Sequence, residues 1–189
     1  MNEQSRPQHR PATYQDVLDA PPNMVAEIVR GALHLHPRPH PRHARAITSL
    51  GYEVVGPFDR GRGGPGGWRI LIEPELHLGP DVLVPDLAGW RRERLPTLAG
   101  DAHIAVPPDW VCEVLSPGTR SFDLTEKRDA YAERGVEHLW LVDPIARTLE
   151  AFRLAGSTWT LVAALHDDAE VRLPPFEAVA FALADLWAD

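Results

Sequence analysis

Glu113 lies inside the run Pro108-Asp109-Trp110-Val111-Cys112-Glu113-Val114-Leu115-Ser116-Pro117, with Pro-Pro at its start and Pro-Gly at its end. Alternation puts Val111, Glu113 and Leu115 on one face and Trp110, Cys112 and Val114 on the other. So continuous an apolar run predicts a strand covered on both faces. A carboxylate is costly there unless it is paired or metal-bound. The competing account is a strand-end Glu that reaches solvent.

Asp86 follows Pro85 in the stretch Val82–Trp90, which is expected to be one strand. A mid-strand Asp beside a Pro is poor strand chemistry, so Asp86 is taken as functional. Asp81 sits in the turn Gly79-Pro80-Asp81, where local hydrogen bonding alone favours Asp. Glu27 shares a face with Val25 and Val29, although a hairpin strand with one wet side also accounts for it. Lys127 is the only lysine of the chain and stands four residues before Tyr131, on the same face of a helix.

Carboxylates on successive strands, followed by a lysine, suit a hard divalent cation such as Mg²⁺ or Mn²⁺. Such an ion polarises a phosphoryl oxygen and makes a nucleophile of water. A lysine beside it stabilises developing negative charge. The chemistry is hydrolysis of a phosphodiester.

The elements that must position these groups follow in order. A short helix begins at Thr13, with Thr13 and Asp16 as N-terminal signals, and ends before Pro21-Pro22. Val25–Val29 and Ala32–His36 flank Arg30-Gly31 as a hairpin. Ile47, Leu50, Val54 and Phe58 recur at helical spacing from about Arg42 and predict a helix packed on a sheet. Trp68–Leu78 and Val82–Trp90 read as one long hairpin about Gly79-Pro80-Asp81. After the Glu113 strand a helix runs from about Phe122 or Asp123 to Arg134 and stops at Gly135. His138–Val142 is a further strand, Arg147–Leu154 and Thr158–Leu165 a hairpin, and Phe176–Trp187 a closing apolar segment.

Two tempting motifs are set aside. His34, His36, His40 and His43 invite zinc, but prolines at 37, 39 and 41 break helical ligand spacing, and a solvated basic loop is expected. GRGGPGG (61–67) lacks the Gly-Lys-Ser/Thr ending of a phosphate loop and precedes a strand, so it is expected to be a flexible connector.

The chain has 189 residues, 44% hydrophobic and 24% charged, with a net charge of −8. One soluble domain over 13–189 behind a flexible tail, 1–12, is expected. The acidic balance argues against a protein that coats nucleic acid, but not against an enzyme with a basic rim or a metal. The single cysteine, Cys112, forms no intrachain disulfide and fits a reducing cytoplasm. No apolar run is of membrane-spanning length.

PDLAGWRRER, then PPDWVCEVLSPGTRSFDLTEKRDAYAERGVEHLWLVDPIARTLEAFRL, resembles the Uma family of restriction-endonuclease-like proteins in the PD-(D/E)XK superfamily. AEIVRGALH and PRPHPRH are similar too. The resemblance implies a mixed α/β (α+β) fold, a central mixed sheet flanked by helices. It implies metal ligands Asp86 and Glu113 with the main-chain carbonyl of Val114, and Glu27 at an N-terminal acidic position. Leu115 stands where the superfamily has its lysine, and Lys127 matches the position from which the following helix supplies it. A Mg²⁺- or Mn²⁺-dependent endonuclease acting on DNA is therefore expected, with a homodimer as a further expectation from an exposed sheet edge and the apolar C-terminus. A retired nuclease fold serving as a binding module is the alternative. Glycoside hydrolysis by paired carboxylates ranks behind both, because Trp90, Trp110 and Trp140 fall in core strands and leave few sugar-stacking aromatics.

Overall fold

The computed structural model describes residues 10–37, 40–98 and 100–187. In chain order they form α1 (Tyr14–Leu18), β1 (Met24–Val29), β2 (Ala32–Pro37), α2 (Pro41–Val54), β3 (Trp68–Ile72), β4 (Leu76–Leu78), β5 (Asp81–Leu83), β6 (Leu87–Arg91) and β7 (Trp110–Val114). Then come α3 (Arg120–Phe122), α4 (Arg128–Glu133), β8 (His138–Asp143), β9 (Thr148–Ala155), β10 (Thr158–His166), β11 (Glu170–Val171) and β12 (Phe181–Ala182). A π-helical turn, Asp123–Lys127, joins α3 to α4, and another, Val55–Asp59, extends α2.

The main sheet has the order β10-β9-β8-β7-β6-β3 and is mixed, β7 and β8 being parallel and all other pairs antiparallel. A parallel pair needs a long crossover, and the α3–α4 helix supplies it. Every residue of β7 is buried. Trp110, Cys112 and Val114 belong to the core under α2, while Val111 and Leu115 belong to the core under α4. The alternation expected from the sequence therefore holds, with Glu113 on the α4 side. Ala46, Ile47, Leu50 and Val54 form the buried stripe of α2, each large side chain worth about 2 kcal/mol when removed from water.

A second sheet, β2-β1-β5-β4, stands beside the first. Its hairpin turns at Arg30 and Gly31, both with positive φ, 51° and 77°, as a two-residue turn between twisted strands requires. Ala12 N–H donates to the Gly31 carbonyl and Arg10 pairs with Asp16, so the end of the expected tail is tied down. Residues 1–9 of that tail lie outside the described residues.

The long hairpin expected over 68–90 is corrected. Each arm divides between the sheets: β3 pairs with β6 in the main sheet, and β4 with β5 in the second. Pro74 and Pro85 cause the division, since neither has an N–H for a ladder. Glu73 carries the bend with φ of 47°, its N–H donating to the Asp86 carbonyl at 3.0 Å. Asp86 consequently stands at the break before β6 and not in mid-strand. Residues 61–67 also depart from a merely flexible connector: a Cβ on Gly64 would stand 2.4 Å from the Pro57 Cβ, so only glycine fits that approach.

Leu183 and Leu186 near the C-terminus are fully buried in the α2 core, so this apolar segment is used within the chain. Among the described residues no helix is long and apolar enough to cross a membrane.

Candidate active site

Glu27, Asp86, Glu113 and Lys127 come together in one cleft of about 80 Å³, with His36, His43, Glu73 and Asp123 also on its wall. Three elements and one break supply the acids and the lysine. β1 carries Glu27 inward, the Pro85 break presents Asp86, β7 carries Glu113, and the π turn carries Asp123 and Lys127.

Lys127 is only 2% exposed, which excludes an ordinary solvated helix lysine. Its ammonium lies 3.0 Å from Glu27 Oε1 and 2.9 Å from Glu113 Oε1, and donates to the Val84 carbonyl at 3.0 Å. An ammonium has three donors; one goes to the Val84 carbonyl, while the two carboxylates pair with its charge. The π turn aims it there. Thr125 Oγ1 donates to the Ser121 carbonyl at 2.6 Å, a local bond that competes with the regular helical ladder. Such turns are frequent at functional sites. Tyr131, one turn on, donates to Glu113 Oε1 at 2.5 Å.

Asp86 Oδ2 accepts the Val114 N–H at 2.6 Å and faces His43 Nε2 at 3.3 Å. Glu27 Oε1 accepts the Val84 N–H at 2.7 Å, and its Oε2 is 3.8 Å from His36 Nε2. The Val114 N–H is thus beside the Asp86 carboxylate, and the His43 ring bonds the Val114 backbone.

The electrostatics follow from four acids around one lysine. Burial pushes the Glu113 carboxyl well above its usual range, and Asp123, Asp86 and Glu27 add to the push against the pull of Lys127. Burial alone would lower the Lys127 ammonium, but Glu113 and Glu27 outweigh it and hold the ammonium well above its usual range. Burial also raises Asp123, to about 6, with Lys127 opposing. Burial lowers His36. Burial would lower His43 as well, but Asp86 outweighs it and raises the ring.

His36, His43 and Asp123 line the cleft, and Tyr131 stands behind Glu113, all without a role assigned by residue-by-residue reading of the sequence. The solvated-loop reading of the histidine segment is corrected: His34 and His36 lie on β2, and Pro41 opens α2, so His43 is buried in its first turn. A signal for His43 was present, because it stands four residues before Ile47 on the apolar stripe. Asp81 is elsewhere, bound by Arg134 at 2.7 Å and by the Arg30 N–H at 2.9 Å. Among the described residues no Trp, Tyr or Phe lines the cleft, so they offer no sugar-stacking platform.

A family model described as "Uma2: Putative restriction endonuclease" matches residues 11–184. The chain belongs to that family. As a Uma2 member it carries the fold expected of a nuclease family, and a solved structure agrees on the architecture. That structure, a "putative nuclease belonging to DUF820" from Anabaena variabilis ATCC 29413, is 22% identical with a TM-score of 0.75, over 94% of this chain and 98% of that one. No curated protein matches the chain.

Proposed function

We propose that the chain is an endonuclease that hydrolyses phosphodiester bonds of DNA and depends on Mg²⁺ or Mn²⁺. The observation that carries this reading is the charge imbalance of the cleft: Glu27, Asp86, Glu113 and Asp123 face one ammonium, Lys127. Buried like charges of this kind are stable only with a proton or a cation among them. An all-oxygen donor set selects a hard divalent cation, so the residues fit the ion. Asp86 and Glu113 would hold it with the Val114 carbonyl, and Glu27 would complete the acidic wall. When bound, the ion supplies charge for the phosphoryl oxygen and lowers the pKa of water.

The chain's own groups do the rest. Lys127 keeps its proton, because its neighbours hold the ammonium far above neutral pH. It therefore acts as a fixed positive charge and hydrogen-bond donor toward the phosphoryl group, not as a base. Tyr131 donates to Glu113 Oε1 and Lys127 pairs with the same oxygen, and together they orient that carboxylate. The nucleic-acid substrate is supported by a basic patch: Arg42 and Arg45 on α2 and Arg147 line a separate surface hollow, and α2 also carries His43 in the cleft. Phosphate contacts of this kind offset the acidic net charge locally. A cytoplasmic location accompanies this reading, as does a homodimer through the outer edge of β10, where Leu161 and Val162 are exposed. Light scattering decides the dimer.

A binding module would have no use for so many uncompensated acids, which makes the retired-fold alternative the weaker one. The test is cleavage of a labelled duplex with Mn²⁺, with EDTA, and by Asp86→Asn. Cleavage by the wild type with Mn²⁺ alone supports the proposal. Equal cleavage by Asp86→Asn, or none by the wild type, defeats it.

A further inference from the structure

A second group of metal-type ligands lies outside the carboxylate cleft. Glu75, His77 and His103 each offer one ligand atom, and these atoms lie within 4.8 Å of one another. It is the cluster of this kind among the described residues, and none of the three lines the cleft. Glu75 and His77 are two apart at the start of β4, so their side chains leave the same face of the strand. His103 comes from the loop that runs alongside. Its backbone is held there by the His77 N–H to the Ile104 carbonyl and the Ile104 N–H to the Glu75 carbonyl, both 2.9 Å.

The side chains are already oriented. His77 and His103 stack with ring centroids 3.8 Å apart, and His77 Nε2 lies 2.8 Å from Glu75 Oε1. Tyr14 Oη donates to the same Glu75 oxygen at 2.8 Å and meets the His77 ring edge-on. A hydrogen bond to a ligand carboxylate from outside the ligand set is the usual device for fixing such a ligand. All three groups are half-buried, and Glu75 and His103 also line a hollow of about 360 Å³, so an ion has access.

We propose that Glu75, His77 and His103 form a site for a borderline transition-metal ion of the Zn²⁺ type. Two imidazoles and one carboxylate select such an ion over Mg²⁺, which prefers oxygen alone. Ligands about 2.1 Å from a tetrahedral ion stand roughly 3.4 Å apart. The three ligand atoms now lie within 4.8 Å of one another, so an ion would draw them closer. The fourth position faces the hollow and takes water. The ion joins β4, the loop around His103 and, through Tyr14, α1. It is a staple between three segments and takes no part in phosphodiester hydrolysis, so it stands or falls separately from the proposed function.

The experiment is a calorimetric titration of Zn²⁺ into the full chain, with melting temperatures recorded in Zn²⁺ and in EDTA. The wild type and Asp86→Asn should each bind Zn²⁺ at this site and melt higher with it, because the ion binds only the folded form. His103→Gln should melt as the wild type does in EDTA, bind Zn²⁺ roughly a hundredfold more weakly, and lose the rise. If His103→Gln folds poorly, Co²⁺ absorption of the wild type and His77→Gln decides instead. Intense low-symmetry d–d bands in the wild type that vanish in His77→Gln support the site. Wild-type Zn²⁺ affinity in His103→Gln, unchanged Co²⁺ bands in His77→Gln, or no Zn²⁺ stabilisation of the wild type would overturn it.

Discussion

Two groups of carboxylates, buried except for the half-buried Asp86, differ in their partners. Asp81, Asp109 and Asp143 each have an arginine and at least one backbone N–H. Asp109 accepts from Arg94 at 2.6 Å and from the Arg91 N–H at 2.8 Å. Asp143 takes Arg120 and the N–H groups of Ile145 and Ala146, and those bonds outweigh its burial and hold it below the usual range. Glu27, Asp86, Glu113 and Asp123 have one lysine among them, with His43 beside Asp86, and burial drives Glu113 and Asp123 the other way. The first group is complete as folded and the second is not. A satisfied carboxylate holds loops and strands together; an under-compensated one is a place for a cation.

The contrast is broken most severely at Asp86 and Lys127. Asp86→Asn should abolish cleavage, with the fold retained and the metal-free protein no less stable, since a like charge is removed. Circular dichroism and a cleavage assay on the same sample check both halves. Lys127→Ala should keep metal affinity, or raise it, yet slow single-turnover cleavage roughly a hundredfold to a thousandfold. Lys127→Arg should restore little, because the planar guanidinium does not fit an ammonium's three-acceptor seat. An Ala variant that cleaves at the wild-type rate would leave Lys127 a purely structural cation.

Asp81→Asn sharpens the comparison from the other side. It weakens the contact with Arg134 and should cost on the order of 2 kcal/mol of stability, seen in urea unfolding, while folded protein cleaves normally. The smallest effect is a pH dependence. Asp123 titrates near 6 when folded, above its ordinary 3.8, so the native state binds more protons than the unfolded one between those values. Its protonation therefore supports stability in full below about pH 4, and that support is lost as pH rises to about 6. In EDTA, Asp123→Asn should lack this decline and gain about 2 kcal/mol at pH 7 relative to pH 4. Parallel pH profiles for the two proteins would refute the assignment.

Much of the architecture was legible because local pattern and tertiary use agreed. The unbroken apolar run of β7 announced a strand covered on both faces, and the stripe Ile47, Leu50, Val54 announced α2. Where patterns were continuous but proline interrupted the ladder, as at Pro74 and Pro85, alternation concealed the change of sheet. Asp86 was chosen for a sound reason, its poor fit to a strand beside proline, although no strand runs through it. Lys127 stood out by composition, as the chain's only lysine, and the resemblance to the Uma family supplied its role. The inward turn of His43 and the π turn that aims Lys127 arise from tertiary packing and a side-chain bond at Thr125, which periodicity does not encode.

The central claim is that the surplus charge of the cleft is balanced by a divalent cation. Its most direct test is calorimetric titration of Mn²⁺ into His103→Gln protein, where the second proposed site is silenced, with and without Glu113→Gln. The account predicts one Mn²⁺ site in the first protein and its loss in the second. Equal Mn²⁺ affinity in both would contradict it.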